Sequence, residues 1–483
     1  MKVTAVKAKA GLAALGAASG VSAFGSHPAR LLPGNIVAPN NVLSSRQASA
    51  NILDINSYMA SSYKNGSTAP GARAQDAAGQ YVVIDDSLGA DDNSQVPHCD
   101  TIFIGSAAVA GSDDGGWQAL PNILGFDLMR DVKVDGDTVL PYFMEHGKDP
   151  SKVKRIIFAQ PGKPRDSWKY SNLIRNSLIC AAGNKTMGVD LSTILVVAPA
   201  WLNENDAKAG AAQANDLYWP GSSWASGALA SGPGSANPSS FHAFDVLINS
   251  FFSNKSYSSL NNVFVAGHSL GGTFTQRYAM LRTPNENDPN IAFWTGNCGA
   301  YVWPTSTRPV MNNGTCPGQF DEWPYGVNDT DPKNIPAYAR KGFDKQETLN
   351  TYFGRQVHYN LGLLDNGPGD THCEAQYQGP THLTRGVNLQ ATLAQIPAAS
   401  GHTFDYVANT SHQDYKMFSS VAAQQRLFVN GIDTKNALAS TSAKGKGKGS
   451  SSSNSSKSSA AKVVVVSAGL VTAGLTVAAA SLL

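Results

Sequence analysis

Asn262-Val263-Phe264-Val265-Ala266-Gly267-His268-Ser269-Leu270-Gly271-Gly272-Thr273-Phe274 is the stretch on which the reading of this chain turns. Its first five residues form an apolar, β-branched run of the kind that makes a buried strand. Residues 272–281 carry a helical pattern. Between them sits Gly267-His268-Ser269-Leu270-Gly271, the only G-x-S-x-G in the sequence. A serine at a sharp strand-to-helix turn needs small neighbours two residues to either side, because the backbone bends too tightly for side chains there. The start of the helix also sets free N–H groups, and the positive end of its dipole, beside any negative charge that develops at that serine. The bare motif is a common accident. With a strand before it and a helix after it, it points to Ser269 as a nucleophile.

The same rhythm extends outward. Apolar runs at 155–159, 192–198, 262–266, 291–294, 356–364 and 403–407 predict strands, and 167–181, 241–252 and 272–281 predict helices. Strands apolar on both faces and separated by helices imply an α/β protein with a mostly parallel sheet covered on both sides. Its sites then gather at the carboxyl ends of the strands. Two stretches break the rhythm. Residues 201–237 are rich in Gly, Ala and Ser and contain Trp219 and Trp224; residues 301–352 are rich in Pro, Asn, Asp and aromatics. Loops this long are expected to act as lids or binding walls, and their tryptophans are expected to line an aromatic pocket.

A serine needs a base and an acid to orient that base, in the chain order Ser, Asp, His. Downstream of Ser269 lie His358, His372, His382, His402 and His412. His412 follows the last predicted strand and is the expected base. His358 and His402 read as core or cap positions, and His372 and His382 follow the candidate acids too closely to be first choices. Asp365 closes the run at 357–364 and is the expected acid, with Asp370 on the same loop as runner-up; Asp405 reads as an outward-facing structural group. The Leu270 amide and one from Gly162 or Lys163 are the expected oxyanion donors, since Pro164 has no N–H to give.

At this point the sequence resembles the secreted α/β-hydrolase-fold serine hydrolases of fungi and bacteria. The resemblance spans about 140–430 and rests on the GHSLGG elbow with Gln276-Arg277-Tyr278-Ala279 behind it. It rests also on Leu361-Gly362-Leu363-Leu364-Asp365 followed by Cys373-Glu374-Ala375, Gln378-Gly379 and Arg385-Gly386. It implies an α/β-hydrolase fold with lid-like insertions, Asp365 as the acid, and as base the histidine shortly before a Met-Phe pair, here His412 before Met417-Phe418. The sequence departs from the group where a His-Gly usually precedes the shared Arg-Asp, here Arg165-Asp166: it has Pro161-Gly162. The group implies no particular substrate.

The ends read as processing signals. Residues 1–23 carry Lys2, Lys7 and Lys9 and then a short apolar, small-residue run, the grammar of a secretory signal peptide. Residues 24–95 read as a loosely ordered extension, 96–432 as the hydrolase domain, and 433–462 as a Ser/Gly/Lys-rich linker. Residues 463–483 are uncharged and read as a hydrophobic GPI-anchor signal. Secretion and anchoring to the outer membrane face or cell wall agree with sequons at Asn65, Asn184, Asn254, Asn313, Asn328, Asn409 and Asn454. The five cysteines suggest one or two disulfides, with Cys316–Cys373 favoured. A net charge of +2 with 15% charged residues and no basic stripe argues against a nucleic-acid partner. No cofactor or metal is expected, for want of H-E-x-x-H, paired C-x-x-C or Walker patterns. The expected reaction is therefore acyl transfer from an extracellular ester or amide. The alternatives are a serine peptidase, a lipase, or an inactive hydrolase-fold surface adhesin.

Overall fold

The structure, a computed structural model, describes residues 73–75, 81–83 and 109–432, except 124, 185, 236, 311–318 and 329–330. The expected signal segment, linker and anchor signal lie outside the described residues, as do Cys99, Cys316, Asn65, Asn313 and Asn454. Within the expected extension, Arg73–Gln75 pairs antiparallel with Tyr81–Val83. Among the described residues no helix is long and apolar enough to cross a membrane.

Eight strands build the central sheet: β1 (Phe126–Met129), β2 (Tyr142–Glu145), β3 (Arg155–Gln160), β4 (Ile194–Pro199), β5 (Asn262–His268), β6 (Ile291–Gly296), β7 (Gln356–Gly362) and β8 (Thr403–Val407). Their spatial order is β1-β2-β4-β3-β5-β6-β7-β8. Strands β3 to β8 run parallel, and β2 is antiparallel to both its neighbours. With helices on both faces, this is the α/β-hydrolase fold. The main helices are α1 (Ser167–Gly183), α2 (Ser240–Ser253), α3 (Leu270–Leu281), α4 (Lys345–Gly354), α5 (His382–Leu393) and α6 (Asp414–Phe418). Strands β1 and β2, and helices α4, α5 and α6, were not among the elements expected from the sequence, although α5 buries Arg385, Leu389 and Leu393 at helical spacing. Strands β1 and β2 are only four residues long, too short for alternation to show.

Alternation in the inner strands sorts side chains to two cores. Ile156, Phe158, Leu195, Val197, Val263 and Val265 face α2 and α3, whereas Ile157, Ala159, Val196, Ala198, Phe264 and Ala266 face α1 and the C-terminal helices. Every residue of β3, β4, β5 and β6 is buried, as expected of a parallel sheet covered on both sides.

The insertion at 201–237 does not provide the aromatic pocket wall expected of it. Trp201, Trp219 and Trp224 are fully buried. Trp201 stacks on Trp224 at 5.5 Å and meets Trp219 edge-on at 5.1 Å, and Phe244 and Phe274 close the cluster. Apolar rings inside a long insertion have nowhere to go except down onto the helices, so the tryptophans form a pedestal beneath its surface. Asp405 is structural, as expected, and pairs with Arg426 at 3.1 Å. Cys180 and Cys373 each take part in a disulfide, and Cys298 is free and buried.

Phe244 touches Phe158, Trp201, Phe274 and Tyr278 in this cluster. Phe244→Ala is expected to cost about 3–5 kcal/mol, read as a lower urea midpoint with an unchanged slope.

Candidate active site

Strand β5 runs to His268, and α3 begins at Leu270, two residues earlier than the sequence pattern suggested. Only Ser269 is left for the bend, at φ 57° and ψ −124°. This is a backbone region costly for any residue with a side chain, and one kept mainly at functional sites. The surrounding packing explains the motif's glycines. A Cβ on Gly271 would fall 2.5 Å from the carbonyl oxygens of both Gln160 and Pro161, so the first turn of α3 lies directly against the end of β3. The serine's own amide donates to Gly296 O at 2.9 Å, which ties the bend to β6.

The other expected residues come to the same edge. Lys163 follows β3 by three residues, Asp365 follows β7 by three, and His412 follows β8 by five. His412 Nε2 lies 2.9 Å from Ser269 Oγ, and its Nδ1 lies 2.8 Å from Asp365 Oδ2. Asp370, the alternative acid, is elsewhere on the cavity wall. Its Oδ2 accepts from the Tyr325 hydroxyl at 2.8 Å and its Oδ1 faces His372 Nδ1 at 2.5 Å. His358 and His402 are structural, as expected. His358 Nδ1 meets Thr403 Oγ1 at 2.7 Å, His402 Nε2 meets Tyr352 O at 3.0 Å, and burial pushes their imidazoles down to about 3 and about 4.

Three neighbours were not singled out by sequence reasoning. His382 is the first residue of α5, and the loop after β7 folds back so that its Nδ1 lies 3.2 Å from Asp365 Oδ1. Its ring sits 4.2 Å from that of His412. His382 was set aside for its nearness to Asp365 in sequence, yet a loop returning to its own strand end produces that nearness in space. His268, inside the motif, packs its ring 4.6 Å from His412, and burial, with His412 next, pushes its imidazole well below the usual value. A neutral ring therefore backs the candidate base. Asn297, just past β6 at φ 44°, accepts from the Gly362 amide at 2.8 Å and donates to Ser411 O at 3.0 Å. It thus ties the strand end that leads to Asp365 to the loop that carries His412. A Cβ on Gly362 would fall 2.7 Å from the carbonyl oxygens of Thr410 and Ser411, so those two segments touch through backbone alone. The signal for Asn297 was slight: an asparagine after a strand-ending glycine, a residue type that tolerates positive φ.

Of the two candidate oxyanion donors, Gly162 has its amide engaged by the buried Tyr170 hydroxyl oxygen. The Lys163 amide has no partner among the described residues, and Lys163 lines the cavity with Ser269 and Leu270. Arg165, at φ 64°, holds this loop by gripping the buried Asp206 at 2.7 and 3.0 Å. The cavity itself measures about 700 Å³ and is bounded by Lys163, Ser226, Ser269, Arg277, Tyr325 and Asp370, among others. Asp365, His382 and His412 bring three ligand-type atoms within 4.8 Å of one another, but two of those residues are also the hydrogen-bond partners that join the serine to its acid.

No protein-family model and no curated protein matches the chain. Among solved structures it is similar to LpqC, a poly(3-hydroxybutyrate) depolymerase from Bordetella parapertussis. Identity there is 20% and the TM-score 0.43, over 62% of this chain and 89% of that one. It is also similar to poly(aspartic acid) hydrolase-1 from Sphingomonas sp. KT-1, at 18% identity and TM-score 0.43, over 63% and 98%. An S-formylglutathione hydrolase from Agrobacterium tumefaciens aligns at 11% identity and TM-score 0.35, over 66% and 97%. These likenesses are distant, and the fold rests on the strand order and elbow described above.

Burial pushes the Asp365 carboxyl up, but hydrogen bonds from His382 and His412 outweigh it and hold the group well below the usual carboxylate range. A depressed carboxyl stabilises the fold above its ordinary value of 3.8, and that stability is lost as pH falls through the folded value. The stability difference between wild type and Asp365→Asn is therefore expected to hold steady near neutrality and to shrink steadily below pH 3.8, in urea titrations stepped down in pH.

Proposed function

We propose that this protein is a serine hydrolase of the esterase type, acting on an extracellular ester or amide through an acyl-enzyme. The observation that carries the reading is the continuous chain Ser269 Oγ–His412 Nε2–His412 Nδ1–Asp365 Oδ2, with links of 2.9 and 2.8 Å, opening on a large cavity. Ser269 attacks the carbonyl carbon as His412 takes its proton, and Asp365 steadies the imidazolium that forms. The carbonyl oxygen becomes an oxyanion held by the Leu270 and Lys163 amides. His412 then gives its proton to the departing alcohol or amine, leaving an acyl group on Ser269. Water, deprotonated by His412, attacks that acyl group, and the acid leaves as the serine recovers its proton.

The signal segment, the sequons and the C-terminal tail support secretion and lipid anchoring at the cell surface as part of this proposal. Asn184, Asn254 and Asn409 are exposed and so open to modification.

Wild type is expected to label with a fluorophosphonate probe and Ser269→Ala to lose the label; equal labelling of both overturns the proposal. Asp365→Asn is expected to lower kcat by about 10⁴ with the fold intact, since the imidazole then loses its orienting anion. Asn297 acts as a positioning residue. Asn297→Ala is expected to lower kcat by about 10²-fold on p-nitrophenyl esters with KM little changed, because a small misplacement of base against nucleophile costs that much; an effect on KM alone would remove it from this role.

A further inference from the structure

Buried arginines elsewhere in the described residues have acceptors, although Arg175 Nε, Arg308 Nε and Arg385 Nη2, like Arg277 Nε, are buried without one; Arg175 reaches Asn172 Oδ1 at 2.6 Å. Arg165 holds Asp206, Arg282 holds Asp245 and Asp288, Arg308 holds Asp321, and Arg355 holds Asp288. Arg155 and Arg385 rest on backbone carbonyls. Arg277 has neither. It is only 5% exposed, yet it lines the cavity that contains Ser269. Its hydrogen bonding among the described residues is a single contact, Nη1 to Ser226 Oγ at 3.0 Å, and its Nε is buried with no acceptor. The guanidinium lies over the Tyr325 ring at 5.8 Å. Asp370, on the same wall, does not form an ion pair with it and is instead committed to Tyr325 and His372. A buried cation with a single hydroxyl acceptor and an unmatched, buried Nε is a costly arrangement unless an anion completes it.

The position suits a substrate. Ser269 caps α3, and Thr273 and Arg277 follow at four-residue intervals on the same helical face, all three lining the cavity. Eight residues separate serine and arginine by about 12 Å along the axis, and helical side chains lean back toward the N-terminus. The guanidinium thus addresses the space between itself and the serine. Lys163, exposed and also lining the cavity, adds a second positive charge. A planar guanidinium suits a planar carboxylate, which it can grip with two parallel donors. Asp370 nearby favours a singly charged anion over a doubly charged phosphate.

Building on the serine-hydrolase reading, we infer that Arg277 recognises a carboxylate on the substrate, several bonds from the scissile carbonyl, so that the cavity selects acidic esters or amides over neutral ones of the same size.

The test compares two matched pairs on the purified protein. p-Nitrophenyl hydrogen adipate against p-nitrophenyl hexanoate places the charge on the acyl side; 4-acetoxybenzoate against its methyl ester places it on the leaving group. Wild type is expected to favour the acid by tenfold or more in kcat/KM in at least one pair. Arg277→Gln is expected to bring that ratio to about one, with Arg277→Lys between. In parallel, calorimetry on Ser269→Ala compares monomethyl adipate with dimethyl adipate, and 4-acetoxybenzoate with its methyl ester. The acid is expected to bind at least tenfold tighter in the pair that wild type favours. Because neither the wild-type ratios nor this binding comparison needs an Arg277 variant, a failure of Arg277→Gln to fold does not remove the test. Hydrolysis of neutral esters with no acid preference overturns the inference and leaves the serine hydrolase standing. So does a preference that persists in Arg277→Gln. No hydrolysis of any ester, with the acid still bound tenfold tighter, overturns the hydrolase reading and supports the carboxylate site.

Discussion

The backbone of Ser269 sits at φ 57° and ψ −124°, a conformation that costs on the order of 1–3 kcal/mol and does not persist without support. The support comes from three directions. Strand β5 is hydrogen-bonded between β3 and β6 along almost its whole length, so it cannot shift. The serine amide is held by Gly296 O, and its carbonyl accepts from Thr273 as the first bond of α3. The packing of Gly271 on the end of β3 presses the helix start against the loop that carries Lys163. The same contact that maintains the strain therefore sets Leu270, at the helix start, and the Lys163 loop on the wall of one cavity. The bend at Ser269 and the placement of the Lys163 loop are two results of a single close approach.

A second close approach holds Asp365 to His412. After β7 and β8 the chain could diverge, yet Leu363 and Leu364 donate to Val407 O and Thr410 O at 3.0 and 2.8 Å, and Asn297 bridges the same two segments. Behind His412, Lys169 of α1 pairs with Asp414 at 3.1 Å, which links the base loop to the helix that follows the Lys163 loop. The buried Asp365 carboxylate is then stabilised by two imidazoles rather than by a lysine or arginine. That difference matters for chemistry. A permanent cation against Asp365 would neutralise it and weaken its hold on a protonated His412, whereas imidazole donors leave the charge available.

How much of this was legible follows from range. The elbow was readable because its constraints are local: strand, serine, flanking glycines and helix lie within thirteen consecutive residues. Asp365 and His412 were readable because strand ends are marked by a change from apolar to polar, and a carboxylate or imidazole just beyond one points to the sheet's edge. His382 was not, since its contact with Asp365 arises from the fold-back of the loop before α5, which no periodicity encodes. Arg277 was visible only as a family resemblance, because an unpaired cation is defined by what fails to surround it. The tryptophans misled for the opposite reason. Trp219 and Trp224 stand in a stretch that reads as loop, and a sequence cannot say whether an aromatic in a loop points out to a ligand or down to a core.

That buried cluster has a consequence for the cavity. Trp224 belongs to the short turn Ser223–Ser226 and, with Trp201 and Phe274, fixes it from below. Trp323 from the second insertion donates to Ser226 O at 2.8 Å from the other side, while Ser226 Oγ takes the Arg277 donor. The two long insertions therefore meet at one serine, and that serine orients the unpaired guanidinium. A lid built only from polar loop would leave Arg277 free to swing toward solvent, where water would satisfy its donors and blunt any selectivity for charge. Aromatic mass packed beneath the insertion, with none of it facing the cavity, keeps the cation buried and its donors directed inward. The first insertion thus serves to hold one charge in place, while the second adds Pro324 and Tyr325 to the cavity wall.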